Sequence, residues 1–290
     1  MQSFSPAFIK KGECRMTWHK DIKVAIFDLD GTLYQDYAFL GRYVSHMLGS
    51  RLQGQELQAA IDEAYMILEG RHPVKFGYLS CHDGKRAYSH EGLVPTGCFG
   101  WDGKEGVLNQ EEMDGLFYIG DPWGIAAILA KRHGVHAEEQ LNAFETVRKE
   151  MLAGPHQIEV FPGLIEAVGK MGARRKIFMT NTPSPSAEEF VSFLGLENLF
   201  DTYIVDAQKP EGIRGVMKKL GEEGYQPHEI LSVGDNPFND LYPVKQLGGR
   251  TCLISRYEHA GSDEWDHSVK TIDELAGFLR LLEAVPSGAI

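Results

Sequence analysis

Lys23-Val24-Ala25-Ile26-Phe27-Asp28-Leu29-Asp30-Gly31-Thr32 reads as a buried strand running into a turn. Lys23 to Phe27 is a short apolar run rich in Val, Ile and Phe, which suits a strand covered on both faces. Residues two apart in an extended chain point to the same side, so Asp28 and Asp30 can lie close together at the strand's C-terminal end. Open parallel sheets keep their ligand crevice at that end. Gly31 lets the backbone turn or approach a ligand closely, and Thr32 adds a hydroxyl within reach of either acid. Two like charges so close persist when a cation neutralises them or when one carboxyl stays protonated, and either condition implies chemistry. The competing reading is a strand end finished by an Asp-Gly turn.

The remaining composition narrows the class. The chain has 290 residues, enough for two compact units. An apolar fraction of 43% with 10% aromatics supports a globular core. The net charge of −12, from 29 basic and 41 acidic side chains, argues against sequence-independent nucleic-acid binding. It also means that an anionic substrate must be drawn in by a local positive site. The four cysteines, at 14, 81, 98 and 252, form no Cys-x-x-Cys pair, which suggests neither a disulfide framework nor a zinc ribbon. Residues 1–20 lack the shape of a signal peptide, and no stretch approaches a membrane span. A cytoplasmic enzyme with no membrane or nucleic-acid partner is the simplest expectation. Met16 is an alternative start, and the first twenty residues read as a loose arm.

Apolar spacing predicts helices over 37–52 and 55–69, then over 122–133 and 137–152, with Asp121 as N-cap and Pro122 at the first helical position. Between them, 70–120 is rich in Gly, His and aromatics and has weak periodicity, leaving room for short strands or ordered loops. From about residue 158 strands and helices alternate. Strands are expected at 176–179, 203–205, 229–233 and 251–254. Helices are expected at 163–172, 186–194 (opened by a capping box at Ser186), 213–220, 238–246 and 272–282. This alternation implies an α/β fold, a Rossmann-like parallel sheet with helices on both faces. The expected organisation is a core of residues 1–34 and 158–290, with a mostly α-helical cap of residues 35–157 inserted after the first strand.

Three more strand ends carry polar residues. Thr180-Asn181 offers a hydroxyl and backbone N–H groups before a helix, suited to an anion or simply to capping. Lys209-Pro210 puts an ammonium beyond a strand, a point charge for phosphate or an ordinary surface lysine. Gly234-Asp235-Asn236-Pro237-Phe238-Asn239-Asp240 clusters oxygen ligands suited to a hard cation, or forms an Asp-Asn-Pro turn.

In this order, each at a strand end, the four motifs resemble those of the haloacid dehalogenase-like (HAD) hydrolase superfamily. The first motif is present in full as Asp28-Leu29-Asp30-Gly31-Thr32. The inserted cap is similar to that of the branch containing phosphoglycolate phosphatase and β-phosphoglucomutase. The resemblance implies that Asp28 is a nucleophile forming an aspartyl-phosphate and that Asp30 is the general acid and then base, with Thr32 helping to hold it. It implies Mg²⁺ on the Asp28 carboxylate, the Asp30 carbonyl and Asp235, and phosphate on Thr180, the Asn181 N–H and Lys209. Asn236, Asn239 and Asp240 are expected around this set, Asp240 holding Lys209 or a metal-bound water.

The expected activity is hydrolysis of a small phosphorylated metabolite. Phosphoglucomutase-like transfer and phosphonate hydrolysis are the alternatives, the latter needing a cap lysine such as Lys75 or Lys85. Dehalogenation is disfavoured because it needs neither a second acid nor a metal. A phospho-accepting receiver orders its acids differently and has no cap. A silent binding protein usually loses an acid that this chain keeps. Within the cap, His72, Cys81, His82, His90 and Cys98 match no standard zinc spacing. Asp102-Gly103-Lys104-Glu105-Gly106 is not a calcium loop, having Met113 at its twelfth position. Arg71, His72, Lys75, Arg86 and Trp123 are candidates for closing over the leaving group.

Overall fold

The computed structural model describes residues 18–108, 115–261 and 265–283. Cys14, Met16 and Met113 lie outside them. Strand β1 (Val24–Phe27) is followed by helices α1 (Phe39–Leu48) and α2 (Gly54–Leu68). Five short strands come next: β2 (Leu79–Ser80), β3 (Arg86–Glu91), β4 (Val94–Gly100), β5 (Glu105–Gly106) and β6 (Phe117–Tyr118). Helices α3 (Pro122–Arg132) and α4 (Ala137–Glu150) complete this part of the chain. The rest alternates: α5 (Pro162–Lys170), β7 (Arg175–Met179), α6 (Ser186–Phe193), β8 (Thr202–Ile204), α7 (Glu211–Glu222), β9 (Ile230–Gly234), α8 (Tyr242–Gln246), β10 (Arg250–Ile254), β11 (His267–Val269) and α9 (Ile272–Arg280).

The main sheet is parallel, ordered β11-β10-β9-β1-β7-β8. Both faces of β1 are covered. Val24 and Ile26 join one apolar cluster with Ile213 and Met217 of α7, while Ala25 and Phe27 join the other. This period-2 split between two apolar layers is the reason β1 contains no polar residue. The second cluster continues through Leu40 and Val44 of α1 and Ile125 and Leu129 of α3. The long insert is therefore packed onto one face of the sheet through shared apolar surface.

Phe27 is level with Phe178 on one side and Val233 on the other. The residues after β1, β7 and β9 thus emerge along one edge. The chain runs outward from β1 to β7 and β8, then returns to β9 on the opposite flank, so the order reverses at β1. Such a switch point opens a crevice at the strands' C-terminal ends.

The insert is mostly helical, but its weakly periodic stretch forms an antiparallel sheet ordered β5-β4-β3-β2-β6. Elsewhere, two expected helices differ at their starts: that of 238–246 is a π-helix over Pro237–Leu241 and α-helical only over Tyr242–Gln246, and that of 186–194 lacks its expected cap. Ser186 is not a helix cap: α6 is preceded by Pro185 without a side-chain cap, and the Ser186 hydroxyl instead accepts from Arg148 Nε at 2.9 Å. Asp121 does cap α3, its Oδ1 accepting from Gly124 N at 2.6 Å.

Candidate active site

Asp28 continues β1 directly, and its N–H still donates to Val233 O. Its carboxylate is held on both oxygens. Lys209 Nζ donates to Oδ1 at 2.7 Å and Thr32 Oγ1 donates to Oδ2 at 3.2 Å. Thr32 therefore holds Asp28 rather than Asp30. The tight turn at Gly31 brings residue 32 back over the first acid, a fold of the chain that an extended reading does not anticipate. Lys209 also donates to Asp240 Oδ1 at 2.6 Å. Asp240 is fixed in turn by the Asn236 N–H on its Oδ2.

Asp30 faces elsewhere. Tyr34 O–H and Arg148 Nη1 both donate to its Oδ1, and Thr182 Oγ1 donates to Oδ2 at 2.7 Å. Arg148 arrives from α4 and is 2% exposed. Its guanidinium lies 3.4 Å from the Phe190 ring centroid and donates to Tyr34 as well. Burial alone raises a carboxyl's pKa, yet the Arg148 charge and three donors more than offset this and keep Asp30 below its ordinary range.

Thr180 and Asn181 follow β7, at the same edge. Thr180 Oγ1 accepts from Thr182 N, and the Asn181 side chain clips the Lys209 backbone by accepting from its N–H at 2.7 Å and donating to its carbonyl. Helix α6 starts only at Ser186, so these residues form a turn rather than a helix entry. Asn236 accepts from Phe238 N and Asn239 N and donates Nδ2 to Asp121 Oδ2 at 2.6 Å.

The electrostatics are unbalanced. Asp28, Asp30, Asp121, Asp235 and Asp240 share this edge with Lys209 and Arg148 as their close cations. Burial, partly countered by Lys209, raises Asp28 to about 7. Burial and the neighbouring Asp28 and Asp121 push Asp235 well up. Lys209 is raised too, because Asp240 and Asp28 outweigh its burial. Oxygens of Asp28, Asp235 and Asp240 all lie within 4.8 Å of one another. A hard, anionic oxygen set with excess negative charge fits a divalent cation such as Mg²⁺. Gly31 makes the set possible: its φ is +78°, and a Cβ there would lie 2.1 Å from Asp235 Oδ2.

The sequence family model for haloacid dehalogenase-like hydrolases matches residues 22–248. The chain belongs to this family. It is an enzyme of the HAD-like hydrolase class. No curated protein sequence matches it. Among solved structures it is similar to a haloacid dehalogenase-like hydrolase from Xanthomonas campestris, with 16% identity over 90% of this chain and 96% of that one and a TM-score of 0.46. It is also similar to the HAD-hydrolase YfnB of Bacillus subtilis, bound to magnesium, with 16% identity over 89% and 98% and a TM-score of 0.49. A HAD phosphatase from Thermococcus onnurineus shows 20% identity over 91% and 100%, with a TM-score of 0.45.

Four residues of this HAD site escaped the sequence reading in whole or part. Tyr34 and Thr182 look like ordinary loop residues, and Asp121 showed only its capping role. Arg148 left a trace: it occupies a buried position of α4 beside Val147, where an unpaired arginine is costly. Of the cap candidates, Trp123 lines the crevice between insert and sheet, whereas Arg71 pairs with Glu69, His72 with Glu63, and Lys75 caps Gly70 O. Arg86 lies on β3, outside that lining. His72, Cys81, His82, His90 and Cys98 do not converge on one point among the described residues.

Proposed function

We propose that this HAD-family enzyme is a Mg²⁺-dependent phosphatase that hydrolyses a small phosphorylated metabolite through an aspartyl-phosphate on Asp28. One observation carries the reading: the Asp28 carboxylate is fixed by Lys209 and Thr32 at the sheet's switch point, with Asp235 and Asp240 oxygens beside it. Asp28, Asp235 and the Asp30 carbonyl would hold the cation, whose charge lets a carboxylate approach a phosphate. An Asp28 oxygen bonds to phosphorus as the ester P–O bond breaks, and Asp30, once it has taken up a proton against the Arg148 charge that holds it ionised in the resting site, gives that proton to the departing oxygen. In the second half Asp30 takes a proton from water, whose oxygen attacks phosphorus and frees Asp28. Lys209, Thr180 and the Asn181 N–H supply positive charge and hydrogen bonds to the phosphoryl oxygens.

Phosphonate hydrolysis by a cap lysine gains no support, because no lysine lines the crevice among its described residues. A cytoplasmic setting belongs to the same reading: Cys81, Cys98 and Cys252 are all unpaired thiols. No helix of the described residues is long and apolar enough to cross a membrane. Phosphate release from p-nitrophenyl phosphate, with Mg²⁺ and with chelator, tests the proposal. Asp28→Asn is expected to lower kcat by at least about a thousandfold, since the nucleophile is gone. Turnover that survives chelation or this substitution rules the mechanism out.

A further inference from the structure

The crevice between the insert and the sheet edge encloses a cavity of about 410 Å³, within the range of small-ligand sites. Its insert side is aromatic, built from Tyr43 of α1, Phe117 of β6, Trp123 of α3 and Phe144 of α4, and Phe238 faces them from the loop after β9. These rings brace one another. Trp123 meets Tyr43 edge-on at 5.2 Å and Phe144 at 5.3 Å, and Phe238 stacks on Tyr118 at 5.8 Å.

Among the described lining residues there is no Lys, Arg or His. The one charged group is Asp121, and both its oxygens are taken, by Gly124 N and Asn236 Nδ2. Asn181 is occupied with the Lys209 backbone. Arg148 lies behind the wall, 5.8 Å from the Trp123 ring centroid, with its unpartnered Nη2 sealed from solvent. Lys131 stands outside this lining, its Nζ 4.8 Å from the Phe117 ring centroid, so a carboxylate or second phosphate entering the cavity would lose its hydration and meet no cation among the lining residues. A flat ring would displace water from apolar walls and stack on them.

The cavity is tied to the reacting centre through Thr182, which lines it and donates to Asp30 at 2.7 Å. Under the phosphatase reading, on which this step rests, Asp30 protonates the departing alcohol. The cavity is then the place of that alcohol. We propose that the preferred substrate is a phosphate monoester whose alcohol is uncharged and carries an aromatic ring, the ring seated against Trp123, Phe117 and Phe144. The reaction is ordinary hydrolysis: the ester P–O bond breaks, water supplies the oxygen on phosphorus, and the alcohol leaves protonated.

The test compares 2-phenylethyl phosphate, n-propyl phosphate and the phosphate ester of 3-hydroxypropionate with Mg²⁺. Their ring or carboxylate is two carbons from the ester oxygen, which keeps the leaving alcohols comparable in acidity, so that kcat/KM differences report binding. The phenylethyl ester is expected to exceed the propyl ester at least about tenfold, as a few buried methylenes already do, and the carboxylated ester to fall below both. Ala127, half-buried on α3 and lining the cavity, provides the variants. Ala127→Trp should cut the phenylethyl-to-propyl ratio about tenfold by filling the space. Ala127→Lys should raise the carboxylated ester relative to the phenylethyl ester. Equal kcat/KM on the three esters, with Mg²⁺-dependent turnover intact, overturns the substrate class and leaves the phosphatase reading standing. If neither these esters nor p-nitrophenyl phosphate is hydrolysed, the phosphatase reading fails. Calorimetry of 2-phenylethylphosphonate against propylphosphonate on the same chain then decides the cavity's preference, and equal or absent binding overturns it.

Discussion

Gly31 lies between the two acids with φ of +78°, a region an L side chain enters only with strain, and its missing Cβ leaves room for the Asp235 carboxylate. Gly31→Ala should therefore act on the cation set more than on the fold. The expected result is a loss of about 1–2 kcal/mol of stability together with loss of any Mg²⁺-induced rise in Tm. A full Mg²⁺ response in that variant would show that the close approach is unimportant. Arg148 poses the opposite case, a buried cation whose removal strands Asp30 without its countercharge. Arg148→Met is expected to cost about 3–5 kcal/mol in urea unfolding. The double variant with Asp30→Asn should recover at least about 1 kcal/mol of it, the signature of a coupled pair; strict additivity would argue that packing on Phe190 is the whole effect. The two residues differ in legibility. Gly31 was readable as a turn because Asp30-Gly31-Thr32 is a local signal, whereas its contact with Asp235 is made only by the fold. Arg148 was not readable, since its partner Asp30 lies 118 positions away and only the fold joins them.

At the scale of elements, the parallel strands were legible because burial on two faces forces continuous apolar runs. The insert's sheet was not, since β2, β5 and β6 are two residues each and β4 buries only Cys98, so no clear apolar alternation develops. β11 was missed for the same reason, at three residues. The loop of residues 257–261 after β10 is another such element, and His259 fastens it. Its ring lies 4.2 Å from Phe76, its Nε2 donates to Gly120 O at 3.1 Å, and its Nδ1 is sealed from solvent. Burial lowers its pKa to about 4, with His90 as the nearby titratable ring. The folded state thus holds His259 neutral where the unfolded chain protonates it. Its stabilisation is complete above about pH 6.5 and is lost as pH falls toward 4. Discounted for the ring's partial exposure, the effect is about 2 kcal/mol. Tm measured from pH 7 to pH 5 should fall more steeply for the wild type than for His259→Gln. Parallel curves would remove His259 as the cause.

For the whole molecule the governing quantity is charge. A net −12 is spread over the chain, but five carboxyls converge on one sheet edge with two cations between them. Asp235 bears the imbalance most plainly: burial and neighbouring carboxylates push its pKa well up, and among the described residues no cation pairs with it. A carboxyl raised in the folded state binds more protons folded than unfolded. Its contribution therefore declines as pH rises above the ordinary carboxylate range. At pH 7.5 without Mg²⁺, Asp235→Asn should consequently be more stable than the wild type, by about 1 kcal/mol or 2–4 °C in Tm. Mg²⁺ at a hundred times its dissociation constant adds about 2.7 kcal/mol to a chain that binds it only when folded. The wild type should gain that increment and overtake the variant, which should gain little and release no phosphate. The two melting curves thus cross on adding the cation. If the variant is the less stable without Mg²⁺, Asp235 is held by the fold alone, and the excess charge at this edge does not govern its stability.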